Sequence, residues 1–231
     1  MLSNNNKPIH SGKIAKEATI SIVGMGFGDG ARYLFTAILA RFAGVELLGI
    51  YSLASAVTRV GEVIGRAGLH SGVMRFVSRL DKKNEIDEIK QRIKSGLMLG
   101  LIFSIIIMAI QLILSDWLAF DLFNGSELLK KVIVISAFSL PFATVTTIAV
   151  FATQGYKLLK YKVTVMNIIR PVVMLVCVLI CIGLFTKESA IKYPLLISAI
   201  IGTIAGIYFL GKLTGMRTTG VFKGTVDWEL L

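Results

Sequence analysis

Long apolar blocks, each close to the thickness of a bilayer core, constrain this chain more than any other feature. Gly96 to Leu114 contains no charged residue, and Leu195 to Leu210 is likewise uncharged. A helix needs about 20 mostly apolar residues to cross a membrane, at about 1.5 Å each. Six stretches reach that length: 17–40, 47–73, 95–115, 131–153, 163–185 and 193–213. Hydrocarbon offers no partner for a free backbone group, so chain segments of this kind cross as helices. The expected fold is an all-α membrane protein: a tail over 1–16, a six-helix transmembrane lobe over 17–213, and a second tail over 214–231. Charged residues make up 17 % of the chain, against about a quarter in soluble domains.

The net charge of +11 would point to nucleic acid in a soluble protein. Here the basic residues fall between the apolar blocks, and no basic patch interleaved with aromatics is present. Alternate loops differ sharply. One set, with both tails, holds sixteen Lys and Arg, and the other holds five: Arg41, Lys130, Lys131, Lys187 and Lys192. Positive charge marks the cytoplasmic side, so both termini are expected in the cytoplasm of a cell-membrane protein. Residues 1–16 are polar and no cleavage site follows, so the first span is expected to stay in place. Arg75 to Lys94 mixes charges and is expected to lie along the cytoplasmic surface.

Catalytic signatures are missing from this sequence. It has no His-Glu-x-x-His, no phosphate loop and no Cys-His or Ser-His constellation in a polar loop. The two cysteines, Cys177 and Cys181, stand four apart on one helix face inside an apolar run. They read as packing thiols, with no metal site and no disulfide framework. The run Gly24-Met25-Gly26-Phe27-Gly28-Asp29-Gly30 has Asp where a dinucleotide fingerprint needs glycine, and no strand precedes it. It reads as a closely packed membrane helix. His10 sits in a polar tail and suggests no chemistry. No cofactor, metal or enzymatic activity is expected.

Charge inside a span is costly, about 2.5–3.5 kcal/mol per residue at the bilayer centre. It persists where it is paired or faces water. The second block holds Arg59, Glu62, Arg66 and His70, in steps of three, four and four that put all of them on one helix face. Gly61, Gly65, Gly68 and Gly72 accompany them, in two small-xxx-small pairs suited to close packing. One reading pairs Glu62 with both Arg59 and Arg66 in a local ladder. Asp29 and Arg32, three apart in the first block, are expected to pair. Arg170, followed by Pro171, has no acidic neighbour in its own span, and either snorkels to the surface or faces a wet interior. The sharper expectation is that Arg32, Arg59, Arg66 and Arg170 converge on a cavity for an anionic substrate, with Asp29, Glu62 and His70 as ion-pair or coupling groups. Pro141 and Pro171 are expected to loosen their helices.

Ala37-Ile38-Leu39-Ala40-Arg41-Phe42 followed by Leu48-Gly49-Ile50-Tyr51-Ser52-Leu53-Ala54 resembles the opening of polysaccharide transporters. These form the O-antigen flippase branch of the multidrug/oligosaccharidyl-lipid/polysaccharide exporter superfamily. Gly68-Leu69 before Arg75-Phe76-Val77-Ser78, the turn Gln154-Gly155-Tyr156, and Trp228-Glu229-Leu230-Leu231 are similar to the same family. The resemblance implies two pseudo-symmetric lobes of helices around a central cavity, this chain supplying the N-terminal lobe and leading into a missing seventh helix. It implies flipping of undecaprenyl-type lipid-linked oligosaccharides, with cavity arginines pairing the lipid pyrophosphate. The missing C-terminal lobe and membrane lipids would be its other partners.

Three alternatives bound that expectation. A drug or cation exporter of the same superfamily would favour acidic cavity residues. A membrane glycan polymerase or ligase would carry large outer loops, and these are short. A non-transporting remnant would fit a chain that is a fragment.

Overall fold

A computed structural model describes residues 11–79 and 86–215, with side chains from Thr19 onward. Expectations for His10, for the first ten residues and for Trp228 to Leu231 lie outside the described residues. Every regular element among the described residues is helical. In chain order, α1 is Ser11–Ile38, α2 Val45–Arg66, α3 Leu69–Arg79, α4 Ile86–Ile113 and α5 Glu127–Ala137. Then come α6 Ser139–Gly155, α7 Leu159–Val163, α8 Arg170–Leu184, α9 Ser189–Lys192 and α10 Pro194–Thr214. Wide π-turns follow α1 (Leu39–Ala43), precede α5 (Trp117–Leu122), and join α7 to α8 (Thr164–Ile169).

Five helical stretches are long and apolar enough to cross a membrane: Val45–Arg66, Ile86–Ile113, Glu127–Gly155, Leu159–Leu184 and Pro194–Thr214. The protein is therefore an all-α, multi-pass membrane protein. The expected first span is long enough, at 28 residues, but its glycines with Asp29 and Arg32 leave it less apolar than the five.

The structure corrects the second block, expected as one helix over 47–73. α2 stops at Arg66, where Ala67 (φ 43°) and Gly68 (φ 76°) both turn left-handed, and α3 starts afresh at Leu69. Glycine takes that conformation freely, and two such residues in succession cannot continue a right-handed helix. The surface segment expected over 75–94 is also divided. α3 ends at Arg79, and Lys90, Arg92 and Lys94 belong to the first turns of the long helix α4.

Packing puts α6 at the centre. Nearly every residue from Ala143 to Gly155 is buried there, including Thr144, Thr146, Thr147 and Thr153. Hydroxyls inside hydrocarbon need partners, and three of these find the preceding turn. Thr146 donates to the Phe142 carbonyl at 2.8 Å, Thr147 to that of Ala143 at 2.9 Å, and Thr153 to that of Val150 at 2.7 Å. Such back-bonding leaves the outward face of α6 apolar. One core cluster gathers Val73, Ile93, Leu97, Ile148 and Leu210. The other gathers Phe35, Leu39, Leu129, Ile133, Val178 and Ile191. Polar residues from α1, α2, α6 and α8 gather at one place in the bundle.

Candidate functional site

Those polar residues enclose a cavity of about 440 Å³. α1 contributes Arg32, Phe35 and Thr36; α2 contributes Tyr51, Ser55, Thr58, Arg59 and Glu62. Ser139 and Ala143 of α6, Met166, Arg170, Pro171 and Met174 around the start of α8, and Leu195 of α10 complete the wall. Of the expected site residues, Arg32, Arg59, Glu62 and Arg170 share this one space. Arg66 and His70 do not line it. The break at Ala67–Gly68 puts His70 on a different helix from Arg59 and Glu62, so the single four-residue face does not exist. Gly68 and Gly72, expected as a packing pair, meet no neighbouring atom within 4 Å. Gly61 and Gly65 do pack, against Ile107 and Ser104 of α4.

The electrostatics of the cavity are lopsided. Among the described residues Glu62 forms no salt bridge with Arg59 or Arg66, so the ladder is absent. The Arg66 Nε instead donates to the Glu62 backbone carbonyl at 3.1 Å. Among the described residues lining the cavity, Glu62 is thus the one carboxylate beside three guanidinium groups. Asp29 does pair with Arg32, at 2.6 Å, but from outside the lining.

Backbone chemistry places two of the arginines. In the π-turn before α8 the Arg170 N–H donates to the Val165 carbonyl, five residues back. By the same count the Met166 carbonyl faces Pro171, which has no N–H. That carbonyl therefore lacks a backbone partner, and the Arg32 Nη2 donates to it at 3.3 Å. Proline on one helix thereby ties an arginine on another, and Arg32 is held at the wall by Asp29 and Met166 together. α1 comes this close because Gly24 and Gly28 face Val163 and the Asn167 backbone carbonyl, where a Cβ would collide.

Arg170 is half-buried rather than turned to lipid. Its stem crosses Gly202 of α10, where an added Cβ would lie 3.0 Å from its Cγ and 3.2 Å from its Cδ. Its Nη1 lies 3.8 Å from the Met166 Sδ. With Leu159 starting the span, Arg170 stands eleven residues in, about 16 Å at 1.5 Å per residue and near the bilayer midplane.

Sequence reasoning missed a buried hydroxyl–amide network that reaches the cavity wall at Thr58. Thr58 donates to the Ala54 carbonyl at 2.9 Å and meets the Ser136 hydroxyl at 2.8 Å. The Gln111 Nε2 reaches both Thr58 Oγ1 and the Ile133 carbonyl, each at 3.3 Å. This ties α2, α4 and α5 together, and Thr58 brings the network to the cavity wall. A visible signal was available: Gln111 is the only amide side chain in the uncharged run from Gly96 to Leu114. Gly202 and the Met166 carbonyl carried none.

Guanidinium groups offer rigid, paired donors that match phosphate oxygens, and they stay charged in a partly dry space. Hydroxyls from Thr36, Tyr51, Ser55 and Ser139 line the remaining wall. Cys177 and Cys181 are buried in the apolar core, away from this site, and among the described residues no cluster of three potential metal ligands exists. The family model described as polysaccharide biosynthesis protein matches residues 14–228. No curated protein and no solved structure matches the chain.

Proposed function

The chain belongs to the polysaccharide biosynthesis protein family, and from that premise we propose that it flips a lipid-linked oligosaccharide across the cell membrane. The observation that carries the proposal is the meeting of Arg32, Arg59 and Arg170, from three separate helices, on one cavity where Glu62 is the only carboxylate among the described lining residues. Gathering three cations at membrane depth with so little counter-charge is costly, and a diphosphate in the cavity offsets that cost. The arginines pair the diphosphate and the hydroxyl-lined wall meets the sugar, while the lipid tail stays in hydrocarbon. Alternating access then exposes the cavity to one side and the other. No bond is made or broken, so the role is transport rather than catalysis. A second lobe, on the same or another chain, closes the open side where Arg59 is exposed. The bias of basic residues supports placing both termini of the chain in the cytoplasm.

Arg59→Ala and Arg170→Ala, made in cells that depend on this protein for a surface glycan, test the reading. Glycan export falls while the protein level holds, and lipid-linked intermediates accumulate on the inner leaflet. Normal export from both variants overturns the proposal. Glu62, without a salt-bridge partner among the described residues and facing the cavity, favours a cation exporter as a second reading. Efflux of a fluorescent organic cation that is lost in Glu62→Gln would move the assignment there.

A further inference from the structure

Arg66 and His70 lie outside the cavity, and the transport cycle above has no use for them. They meet a third basic group. The His70 ring packs edge-on against Phe151, with centroids 4.7 Å apart and planes at 89°. Lys162 Nζ stands over the same Phe151 ring, 3.9 Å from its centroid, and donates to Gln154 Oε1 at 3.1 Å. Arg66 ends α2 at the break, and both it and Lys162 act electrostatically on His70. Burial first, then those two cations, hold the imidazole below its ordinary pKa. The His70 Nδ1 is buried without a hydrogen-bond partner. Arg66, His70 and Lys162 are each half-buried. Among the described residues none of the three forms a salt bridge.

An aromatic face, one amide oxygen and the Glu62 backbone carbonyl that Arg66 reaches return only part of the hydration that such groups lose. A counter-charge is missing from this cluster, and no carboxylate of the described chain supplies it. We propose that Arg66, His70 and Lys162 form a second anion site, separate from the central cavity, that takes the phosphate group of a membrane lipid. The fit is chemical: a guanidinium fork, an ammonium point charge and an imidazole together match the oxygens of a phosphate ester. The depth is right for a lipid. Arg66 is the last residue of the span Val45–Arg66, and Lys162 is the fourth residue of the span Leu159–Leu184, so both stand at headgroup level at the same end of the bundle.

Glu62 and Arg59 lie one and two turns further along α2, so a phosphate leaving Arg66 reaches Arg59 in about 10 Å. In the flipping cycle the second site is the docking position that precedes the cavity. That role rests on the proposed function, whereas binding at the site does not.

The chain has two histidines, His10 and His70, so imidazole resonances report on the site with little overlap. The full chain, labelled with ¹³C-histidine in phosphatidylcholine nanodiscs, is titrated with inorganic pyrophosphate, with His10 as the internal reference. The His70 signal shifts saturably. Arg66→Gln or Lys162→Gln weakens the binding by about tenfold or more, as expected for one charge-assisted hydrogen bond, and Lys162→Arg keeps it. Arg170→Gln also keeps it, because the cavity is a different site. A shift on replacing phosphatidylcholine with phosphatidylglycerol, with no pyrophosphate added, identifies an ordinary anionic headgroup as the source; a shift with pyrophosphate alone identifies a diphosphate. A His70 signal that moves under neither condition overturns the proposal, as does a shift that survives in the Arg66→Gln/Lys162→Gln double variant. Loss of the shift in Arg170→Gln overturns the separation of the two sites. Normal export from the cavity variants together with an intact His70 shift would remove the flippase reading and leave this site standing.

Discussion

Arg170 reaches the cavity across a residue that has no side chain. Its stem needs the surface of Gly202, and a larger residue there has to push the guanidinium away from Arg32 and Glu62. Gly202→Leu should therefore behave as a cavity variant although it carries no charge. Glycan export is expected to fall by about tenfold or more, with membrane levels of the protein unchanged. Because both changes act on the same group, Gly202→Leu combined with Arg170→Ala should be no worse than Arg170→Ala alone. Full export from Gly202→Leu would show that the Arg170 stem does not depend on α10. Arg32 illustrates the same point at a second position. Its partner is a carbonyl that Pro171 has left without a donor, and a side chain from α1 satisfies a defect made in another helix.

Helix α1 shows how far element-level packing can be read from glycine spacing. Gly24 faces the end of α7 and Gly28 the π-turn before α8, while Gly26 and Gly30 meet no atom within 4 Å. The four glycines alternate along the chain but divide by helix face, as a period of 3.6 requires. Gly28→Val places methyl groups against the Asn167 backbone and should destabilise the bundle by about 1–3 kcal/mol. Gly26→Ala should stay within about 1 kcal/mol of the parent, since helix propensity favours alanine and nothing is in the way. Unfolding of the purified chains in a common detergent measures both. Equal midpoints for the two variants would mean that α1 does not pack on α8 through this face. At the same end of the bundle the α2–α3 break does what no single helix could: it puts His70 on a new helix, against Phe151 rather than in the cavity wall.

For the whole molecule, the bias of basic residues predicts which loops share a side. Lys157, between α6 and α7, belongs to the basic side, and Lys187, between α8 and α9, to the other. A cysteine placed at 187 should react with a membrane-impermeant maleimide on intact cells, whereas one at 157 should react only after the membrane is opened. The native thiols do not interfere greatly, because Cys177 and Cys181 are 7 % and 6 % exposed. The reverse labelling pattern would invert the topology and put the Arg66–His70–Lys162 site on the outer face.

Much of the fold was legible in the chain alone, because a bilayer imposes length and apolarity on every span and local composition records both. The span Pro194–Thr214 lies within a residue of the expected 193–213. The Asp29–Arg32 pair was legible for the same reason, since three residues along a helix are neighbours whatever surrounds them. Family membership and the clustering of positive charge belong to this local record too. Which arginines meet was decided by tertiary structure. Arg32, Arg59 and Arg170 stand on helices whose relative rotation follows from interhelical contacts, among them Gly28 against Asn167 and Gly202 against Arg170, and no spacing within one helix specifies that. The Ala67–Gly68 turn also escaped the pattern: an apolar block gives the same hydropathy whether its helix runs straight through or stops and restarts, and only packing against α4 and α6 distinguishes the two.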